Sequence, residues 1–198
     1  MDQITHQGRS LSLPNLLTYG RIAAVPALVG CFFLSGDIAN WLAFGIFIFA
    51  AVTDFLDGYL ARAWAQQSSL GRMLDPIADK LLVAAALIML AANQTIAGWS
   101  LWAGVIILSR EILVSGLREY LAELDVSVPV TRLSKYKTTL QMIAIGFLLA
   151  GPAGDKLFGA TTAIGLILLW ISALLTLYTG YDYLRAGLRH AIEDGDGL

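Results

Sequence analysis

Four aspartates stand at the ends of two predicted apolar helices: Asp54, Asp57, Asp75 and Asp79. The first two are three residues apart and the last two are four apart, so each pair projects from one face of a helix. The 17 residues between the pairs leave room for a turn that brings the two helices side by side. An ionised carboxylate costs about 2.5–3.5 kcal/mol at the centre of a membrane-inserted helix, and less near the interface. Four of them together therefore predict a functional site.

The chemistry that this cluster predicts is divalent metal binding. Hard oxygen ligands suit Mg²⁺ or Mn²⁺, and Mg²⁺ commonly bridges carboxylates to substrate phosphates. Two ions about 3.5–4 Å apart could clamp both sides of a phosphoryl displacement. Zinc is not expected, because Cys31 is the sole cysteine and the histidines lie in the polar tails. A structural interpretation, with Asp75 as a helix cap and Pro76 as the first helical residue, accounts for only one of the four aspartates.

The elements that must position these carboxylates are membrane-spanning helices. The chain has 198 residues, of which 57% are hydrophobic and 14% charged, and its mean hydropathy is +0.69. This composition excludes intrinsic disorder, and a formal net charge of -2 argues against a nucleic-acid partner. We expect an all-α integral membrane protein, a single domain over 1–198 with short polar tails at 1–12 and 186–198. Six stretches are apolar enough to span a bilayer: 13–35, 39–62, 75–93, 98–119, 134–152 and 158–184.

The basic residues predict the orientation of these helices. With six spans, twelve of the thirteen Lys and Arg residues fall on one side, and only Lys156 falls on the other. The positive-inside rule then places both termini in the cytoplasm. Because the chain has no basic, Ser-rich transit segment, we expect a multi-pass protein of a bacterial inner membrane.

The stretch from Asp54 to Asp79 also resembles a family signature. It reads Asp54-Phe-Leu-Asp57-Gly58-Tyr-Leu-Ala61-Arg62, eight residues, Gly71, three residues, Asp75, three residues, Asp79. This pattern is similar to the motif of the CDP-alcohol phosphatidyltransferases, with every fixed position filled. The segment Pro14-Asn15-Leu-Leu-Thr18-Tyr-Gly-Arg21 resembles the N-terminal segment of that family, which packs beside the nucleotide site.

The resemblance implies roles for these positions. Asp54, Asp57 and Asp75 would be metal ligands, and Asp79 would be the general base and a further ligand. The family is a six-helix homodimer whose site opens to the cytoplasm, and its lipid donor is CDP-diacylglycerol. For Gly58 and Ala61, ordinary helix packing is an alternative role. For Arg62, the alternative is a side chain that extends along the helix to the membrane interface. Contacts with the CDP-lipid are expected from Asn15, Thr18, Gly58, Ala61, Arg62, Ser68 and Gly71.

A second set of residues concerns the acceptor alcohol. Ser109-Arg110-Glu111 through Arg118-Glu119, and then Ser134-Lys135-Tyr-Lys137, resemble the glycerol-phosphate branch of the family, although that branch usually has Gly where Ser134 stands. A dianionic phosphate on the acceptor would use two or three cations, which favours glycerol 3-phosphate over serine or a neutral polyol. The same cations also fit the positive-inside rule and attraction to lipid headgroups. The expected phosphate ligands are Arg110, Arg118, Lys135 and Lys137.

Three alternatives stay open at this point. The same reaction with inositol phosphate, serine or phosphatidylglycerol as acceptor differs only in the second pocket. A membrane prenyltransferase also needs clustered aspartates, but it gives Arg62 and Gly71 no purpose. A cation transporter predicts carboxylates near the middle of the membrane, whereas all four of these lie at one end of their helices.

Overall fold

The described part of the protein consists of α-helices joined by turns. The computed structural model describes residues 13–64, 69–123 and 132–195, with side chains for 16–54, 73–122 and 136–181. Within these ranges the chain forms α-helices and no β-strand, which confirms the predicted all-α class. The six helices are α1 Leu13–Cys31, α2 Asp37–Trp64, α3 Ser69–Ala92, α4 Ser100–Glu123, α5 Arg132–Phe158 and α6 Thr161–Gly195.

Within the residues that the structure describes, three helices contain segments long and apolar enough to cross a membrane. These segments are Asp37–Asp54 in α2, Ser100–Ala122 in α4 and Thr161–Tyr181 in α6. Helix α1 contains a shorter apolar stretch, Leu16–Cys31. Large apolar side chains such as Phe49 stay exposed on these helices, as expected of surfaces that face lipid. The protein is therefore a membrane protein, and the count of six spans stays a prediction.

The predicted helix boundaries agree with the structure in most places. Gly36 adopts φ 86° in the turn between α1 and α2, and Gly98 adopts φ 55° in the turn before α4. Gly151 is non-helical inside α5, with φ 38° and ψ -126°, at the end of the predicted span 134–152. Pro152 is then the first residue of a short helical segment, a position that suits its missing N–H. The turn to α6 follows at Gly159, φ 74°.

One predicted boundary was wrong. The sequence places a helix start at Asp75-Pro76, but α3 begins at Ser69 and contains Pro76. Pro76 is the eighth residue of α3, beyond the first turn, so it removes one internal hydrogen bond of the helix. As a result, Asp75 and Asp79 lie inside α3 on successive turns.

The chain divides into two compact units, each described by itself. One unit contains α1, α2, α3 and the end of α5 from Ile145, and continues to Thr162. In this unit α1 packs against both α2 and α3, around fully buried apolar residues such as Leu28, Phe47 and Leu82. The prediction of one domain over 1–198 stays a prediction.

An ion pair and two hydrogen bonds connect the helices at one end of this first unit. Lys156 donates to both carboxylate oxygens of Asp37, at 2.6 and 2.7 Å. The carboxylate of Asp155 accepts from the backbone N–H of Thr162 at 2.9 Å and from its hydroxyl at 2.6 Å, so it caps the first turn of α6. Gly154 allows a close approach there, because an added Cβ would lie 2.6 Å from Cγ2 of Thr161.

The second unit contains α4, the beginning of α5 through Ala144, and α6 from Ala163. Its buried apolar residues include Ile107, Leu121 and Leu169. Several polar side chains are also buried in this unit, among them Lys137, Gln141 and Thr179. Buried polar groups require partners, and the partners of Lys137 and Thr179 form the second cluster described below.

Candidate active site

The first unit brings three predicted site aspartates from two helices to one residue pair on α1. Asp54 lies in α2, ten residues before the end of that helix, and Asp75 and Asp79 lie in the first half of α3. Arg21 Nη1 lies 2.9 Å from Oδ1 of Asp54 and 2.5 Å from Oδ1 of Asp79. A single guanidinium nitrogen therefore contacts carboxylates from two helices.

The third aspartate is held by a neighbour of Arg21. The hydroxyl of Thr18 donates to Oδ1 of Asp75 at 2.5 Å. Residues three apart lie on the same face of a helix, so Thr18 and Arg21 present one polar face of α1 to the aspartates. We call Thr18, Arg21, Asp54, Asp75 and Asp79 the acidic cluster.

Burial is uneven within the acidic cluster. The side chain of Arg21 is 1% exposed, whereas those of Asp54 and Asp79 are each 45% exposed. A buried cation is tolerated only when it is paired, and the two aspartates supply that pairing. Three carboxylates against one guanidinium leave the cluster with an excess of negative charge, open to solution on the carboxylate side.

The donor atoms fit a divalent cation. Carboxylate oxygens are the ligands that Mg²⁺ and Mn²⁺ prefer, and the cluster has the negative charge to attract one. Among the side chains that the structure describes, no three Asp, Glu, His or Cys residues form a ready metal site. The fourth predicted ligand, Asp57, lies outside the described side chains, so the predicted metal site stays a prediction.

The second unit contains a basic cluster, formed by Arg110, Glu111, Lys137 and Thr179. Lys137 on α5 donates to Oε1 of Glu111 on α4. Arg110 Nη1 lies 3.5 Å from the same oxygen, and its Nη2 donates to the hydroxyl of Thr179 on α6 at 3.2 Å. Two cations thus share one anion, and three helices meet at these four side chains.

Gly180 makes room for Arg110 beside α6. A Cβ on Gly180 would lie 3.1 Å from Cγ and 3.4 Å from Nε of Arg110. The Thr179 hydroxyl, which accepts from Arg110, donates to the carbonyl of Leu175 at 2.9 Å. The guanidinium is therefore positioned by the backbone and by a side chain of α6.

Of the predicted acceptor residues, the structure brings Arg110 and Lys137 together through Glu111. Arg118 lies about two turns further along α4 and is exposed. Thr18, predicted to contact the CDP-lipid, is 2% exposed and bonded to Asp75. The remaining predicted site residues lie outside the described side chains: Asn15, Asp57, Gly58, Ala61, Arg62, Ser68, Gly71 and Lys135.

Three residues of these clusters were not among the predicted site residues. Arg21 was counted toward the positive-inside rule and ends the segment that resembles the family's N-terminal segment, but no role at the site was predicted for it, although an arginine eight residues into an apolar helix is itself a signal. Glu111 stood beside a predicted site arginine. Thr179, followed by Gly180, is a polar position within the last helix, to which no function had been given.

Comparison with known proteins agrees with the signature in α2 and α3. The family model described as CDP-alcohol phosphatidyltransferase matches residues 11–178. A Rickettsia bellii protein named CDP-diacylglycerol–glycerol-3-phosphate 3-phosphatidyltransferase is 46% identical over 175 residues, covering 88% of this chain and 94% of that protein. Proteins of the same name from Pseudomonas fluorescens and Cereibacter sphaeroides are 41% and 39% identical and cover 93% and 92% of this chain, and 94% and 98% of their own lengths. The resemblance expected from the aspartate motif is confirmed: the chain belongs to the CDP-alcohol phosphatidyltransferase family.

Proposed function

We propose that this protein transfers the phosphatidyl group from CDP-diacylglycerol to glycerol 3-phosphate, giving phosphatidylglycerophosphate and CMP. Relatives with 39–46% identity over about nine-tenths of the chain bear the name of this reaction. The observation that carries the proposal is the convergence of Asp54 and Asp79 on Arg21, because it brings the two ends of the signature motif to one place.

The donor nucleotide and its diphosphate are proposed to bind at the acidic cluster. A pair of Mg²⁺ or Mn²⁺ ions, when bound, would neutralise the diphosphate and stabilise the leaving CMP. Asp54, Asp57, Asp75 and Asp79 are the proposed ligands. The predicted CDP-lipid contacts from Asn15 through the motif to Gly71 complete this half of the proposal, without Thr18, whose buried hydroxyl is bonded to Asp75.

In the proposed reaction, one bond to phosphorus forms and another breaks. A hydroxyl oxygen of glycerol 3-phosphate attacks the lipid-side phosphorus of the diphosphate, and the bond from that phosphorus to the CMP oxygen breaks, so CMP leaves with the electron pair. Asp79 accepts the proton of the attacking hydroxyl as the general base. Its carboxylate is half exposed, so an acceptor can reach it, and the contact with Arg21 fixes its position.

The acceptor phosphate is proposed to bind at the basic cluster. Arg110 presents a planar fork that suits a phosphate, and Lys137 adds a second positive charge. Because one glutamate faces both cations, the cluster keeps a net positive charge for a dianionic ligand. Arg118 and Lys135 are proposed to add to it.

The proposal includes the membrane arrangement. We place six spans in a bacterial inner membrane, with both termini and the active site on the cytoplasmic side and with membrane lipids around a homodimer. The charge asymmetry supports this orientation. Lys156, the cation assigned to the outer side, is paired with Asp37, so its charge is balanced.

An acceptor screen tests the proposed function. Purified protein in detergent is given CDP-diacylglycerol, Mg²⁺ or Mn²⁺ and one of four acceptors: glycerol 3-phosphate, serine, inositol phosphate or phosphatidylglycerol. We expect CMP release with glycerol 3-phosphate, dependent on the metal. Release with serine or inositol phosphate instead would move the protein to another branch of the family. Absence of metal-dependent CMP release with every acceptor would refute the reaction class.

A further inference from the structure

Helix α1 carries a polar face where an apolar one would be sufficient for a membrane anchor. Arg21 and Thr18 are both almost fully buried, at 1% and 2% exposure, in a helix that is otherwise largely apolar. A buried arginine in a membrane helix is costly unless it has partners and a purpose. Its partners in the acidic cluster are Asp54 on α2 and Asp79 on α3.

The contacts of Arg21 set the spacing of two carboxylates that would otherwise repel. Asp54 reaches the same guanidinium nitrogen from α2 as Asp79 does from α3. Like charges brought this close in a partly buried site disfavour each other. The guanidinium offsets the repulsion and fixes where the two carboxylates meet.

Arg21 approaches the carboxylates from the buried side. Because Asp54 and Asp79 each remain 45% exposed while Arg21 is 1% exposed, the exposed side of the pair stays open to ions and substrates from solution. Thr18 also approaches its partner from the buried side, because its buried hydroxyl donates to Asp75. The face that holds the carboxylates and the face that would receive a ligand are therefore different.

We propose that Arg21 and Thr18 are positioning residues that hold three aspartates of the acidic cluster in place for divalent metal binding. This inference rests on the proposed function, in which those aspartates are metal ligands. Carboxylates already held at a fixed spacing lose less conformational freedom when they bind an ion, so the ion binds more tightly. Arg21 thus acts through the aspartates, without contact to the reacting atoms.

Binding of Mn²⁺ to the substrate-free protein tests this role directly. We would measure the dissociation constant by calorimetry for wild type, Arg21→Gln, Arg21→Lys and Thr18→Val. We expect about tenfold weaker binding for Arg21→Gln, a smaller loss for Arg21→Lys, which keeps the charge, and a loss of about threefold for Thr18→Val. Each tenfold change corresponds to about 1.4 kcal/mol.

Lys80→Gln is the matched control. Lys80 is adjacent in sequence to Asp79, and its ammonium donates to the carbonyl of Pro76 in its own helix. The substitution removes one positive charge near the cluster and leaves the Arg21 contacts in place. We expect unchanged Mn²⁺ binding. Loss of a positive charge by itself would strengthen cation binding, so an equal loss of affinity in Lys80→Gln and Arg21→Gln would show that the loss does not depend on the Arg21 contacts and would overturn the proposal.

Turnover provides the second measurement. If Arg21 positions the ligands, excess Mn²⁺ should restore much of the kcat of Arg21→Gln, and the metal concentration for half-maximal activity should rise about tenfold. A purely structural role would lower the melting temperature and leave that concentration unchanged. A folded Arg21→Gln protein that binds Mn²⁺ as tightly as wild type, or more tightly, overturns the proposal.

The experiment separates two kinds of failure. If Arg21→Gln does not fold, Thr18→Val tests the proposal instead, since it removes one hydroxyl with little change of shape. Wild-type Mn²⁺ affinity in Thr18→Val would overturn the proposal. If wild type releases CMP but the variants bind Mn²⁺ normally, only the positioning role is refuted. Wild-type protein that neither binds Mn²⁺ nor releases CMP refutes the proposed function itself.

Discussion

Lys137 and Glu111 form an ion pair that joins α5 to α4, and the two partners differ in burial. The lysine side chain is 3% exposed, and the glutamate side chain is 24% exposed. The lysine therefore depends on this carboxylate for its charge to be tolerated. The glutamate also lies 3.5 Å from Arg110, so its loss affects both cations of the basic cluster.

We expect Glu111→Gln to destabilise the protein. Removing one partner of a fully buried pair costs about 3–5 kcal/mol, and the exposed part of Glu111 reduces this to about 2 kcal/mol. The melting temperature in detergent should fall by several degrees. Lys156→Gln is the control, because its pair with Asp37 is 66% and 46% exposed and such pairs contribute about 0–1 kcal/mol. Equal losses in the two variants would contradict the assigned role of Glu111.

Arg110→Ala should impair use of the acceptor. Charge-assisted hydrogen bonds contribute about 1.5–3 kcal/mol, so KM for glycerol 3-phosphate should rise by about 10–100-fold while KM for CDP-diacylglycerol stays unchanged. Lys135→Ala should act in the same direction. Steady-state kinetics with each substrate varied in turn checks both. A rise in KM for the CDP-lipid instead would assign these cations to lipid headgroup attraction.

Thr179→Val is a finer test of the same pocket. It removes the hydroxyl that accepts from Arg110 Nη2 at 3.2 Å and leaves the arginine in place. We expect KM for glycerol 3-phosphate to rise by only a few-fold, because the guanidinium keeps its charge but loses one fixed contact. An effect as large as that of Arg110→Ala would mean that the variant disturbs α6 as a whole.

Asp79→Asn should abolish most turnover. General base catalysis contributes about 10²–10⁴-fold, and the amide can neither accept the proton nor serve as an anionic ligand. Asp37→Asn is the control, since its carboxylate pairs with Lys156 on the surface and it should keep wild-type kcat. Near-normal CMP release by Asp79→Asn would contradict the proposed base.

The cap on α6 predicts a dependence of stability on pH. The hydrogen bonds from Thr162 lower the pKa of the Asp155 carboxyl below its ordinary value. A lowered folded-state pKa means that the stabilisation is present above the ordinary carboxyl pKa of about 3.9 and is lost as the pH falls through the folded-state value. The difference in melting temperature between wild type and Asp155→Asn should therefore shrink as the pH is lowered below about 4. A difference independent of pH would contradict this account.

The helices could be predicted from the sequence because apolar stretches and turn residues are local signals. Gly36 follows the predicted span 13–35 and Gly151 lies at the end of the predicted span 134–152, and both have positive φ in the structure. The beginning of α3 was misplaced because Asp-Pro is a common helix start. The sequence does not reveal that α3 already begins six residues earlier and continues through the proline, its eighth residue.

The acidic cluster could be predicted only in part. The spacing of the aspartates predicted that those of α2 and α3 come close together, but the arginine that contacts both Asp54 and Asp79 is far away in sequence. Arg21 lies 58 residues before Asp79, and nothing in the local pattern links them. The contact of Thr179 with Arg110 was missed for the same reason, since 69 residues separate the two.

The polar face of α1 has a consequence for engineering. Exchanging this helix for a generic apolar segment of equal length would leave a chain that still has the complete signature motif and still inserts, yet lacks the two groups that orient the motif. A signature motif moved into another protein would likewise need α1 to be moved with it. Chimeras between distant relatives should therefore keep Leu13–Cys31 together with α2 and α3 as one exchangeable block.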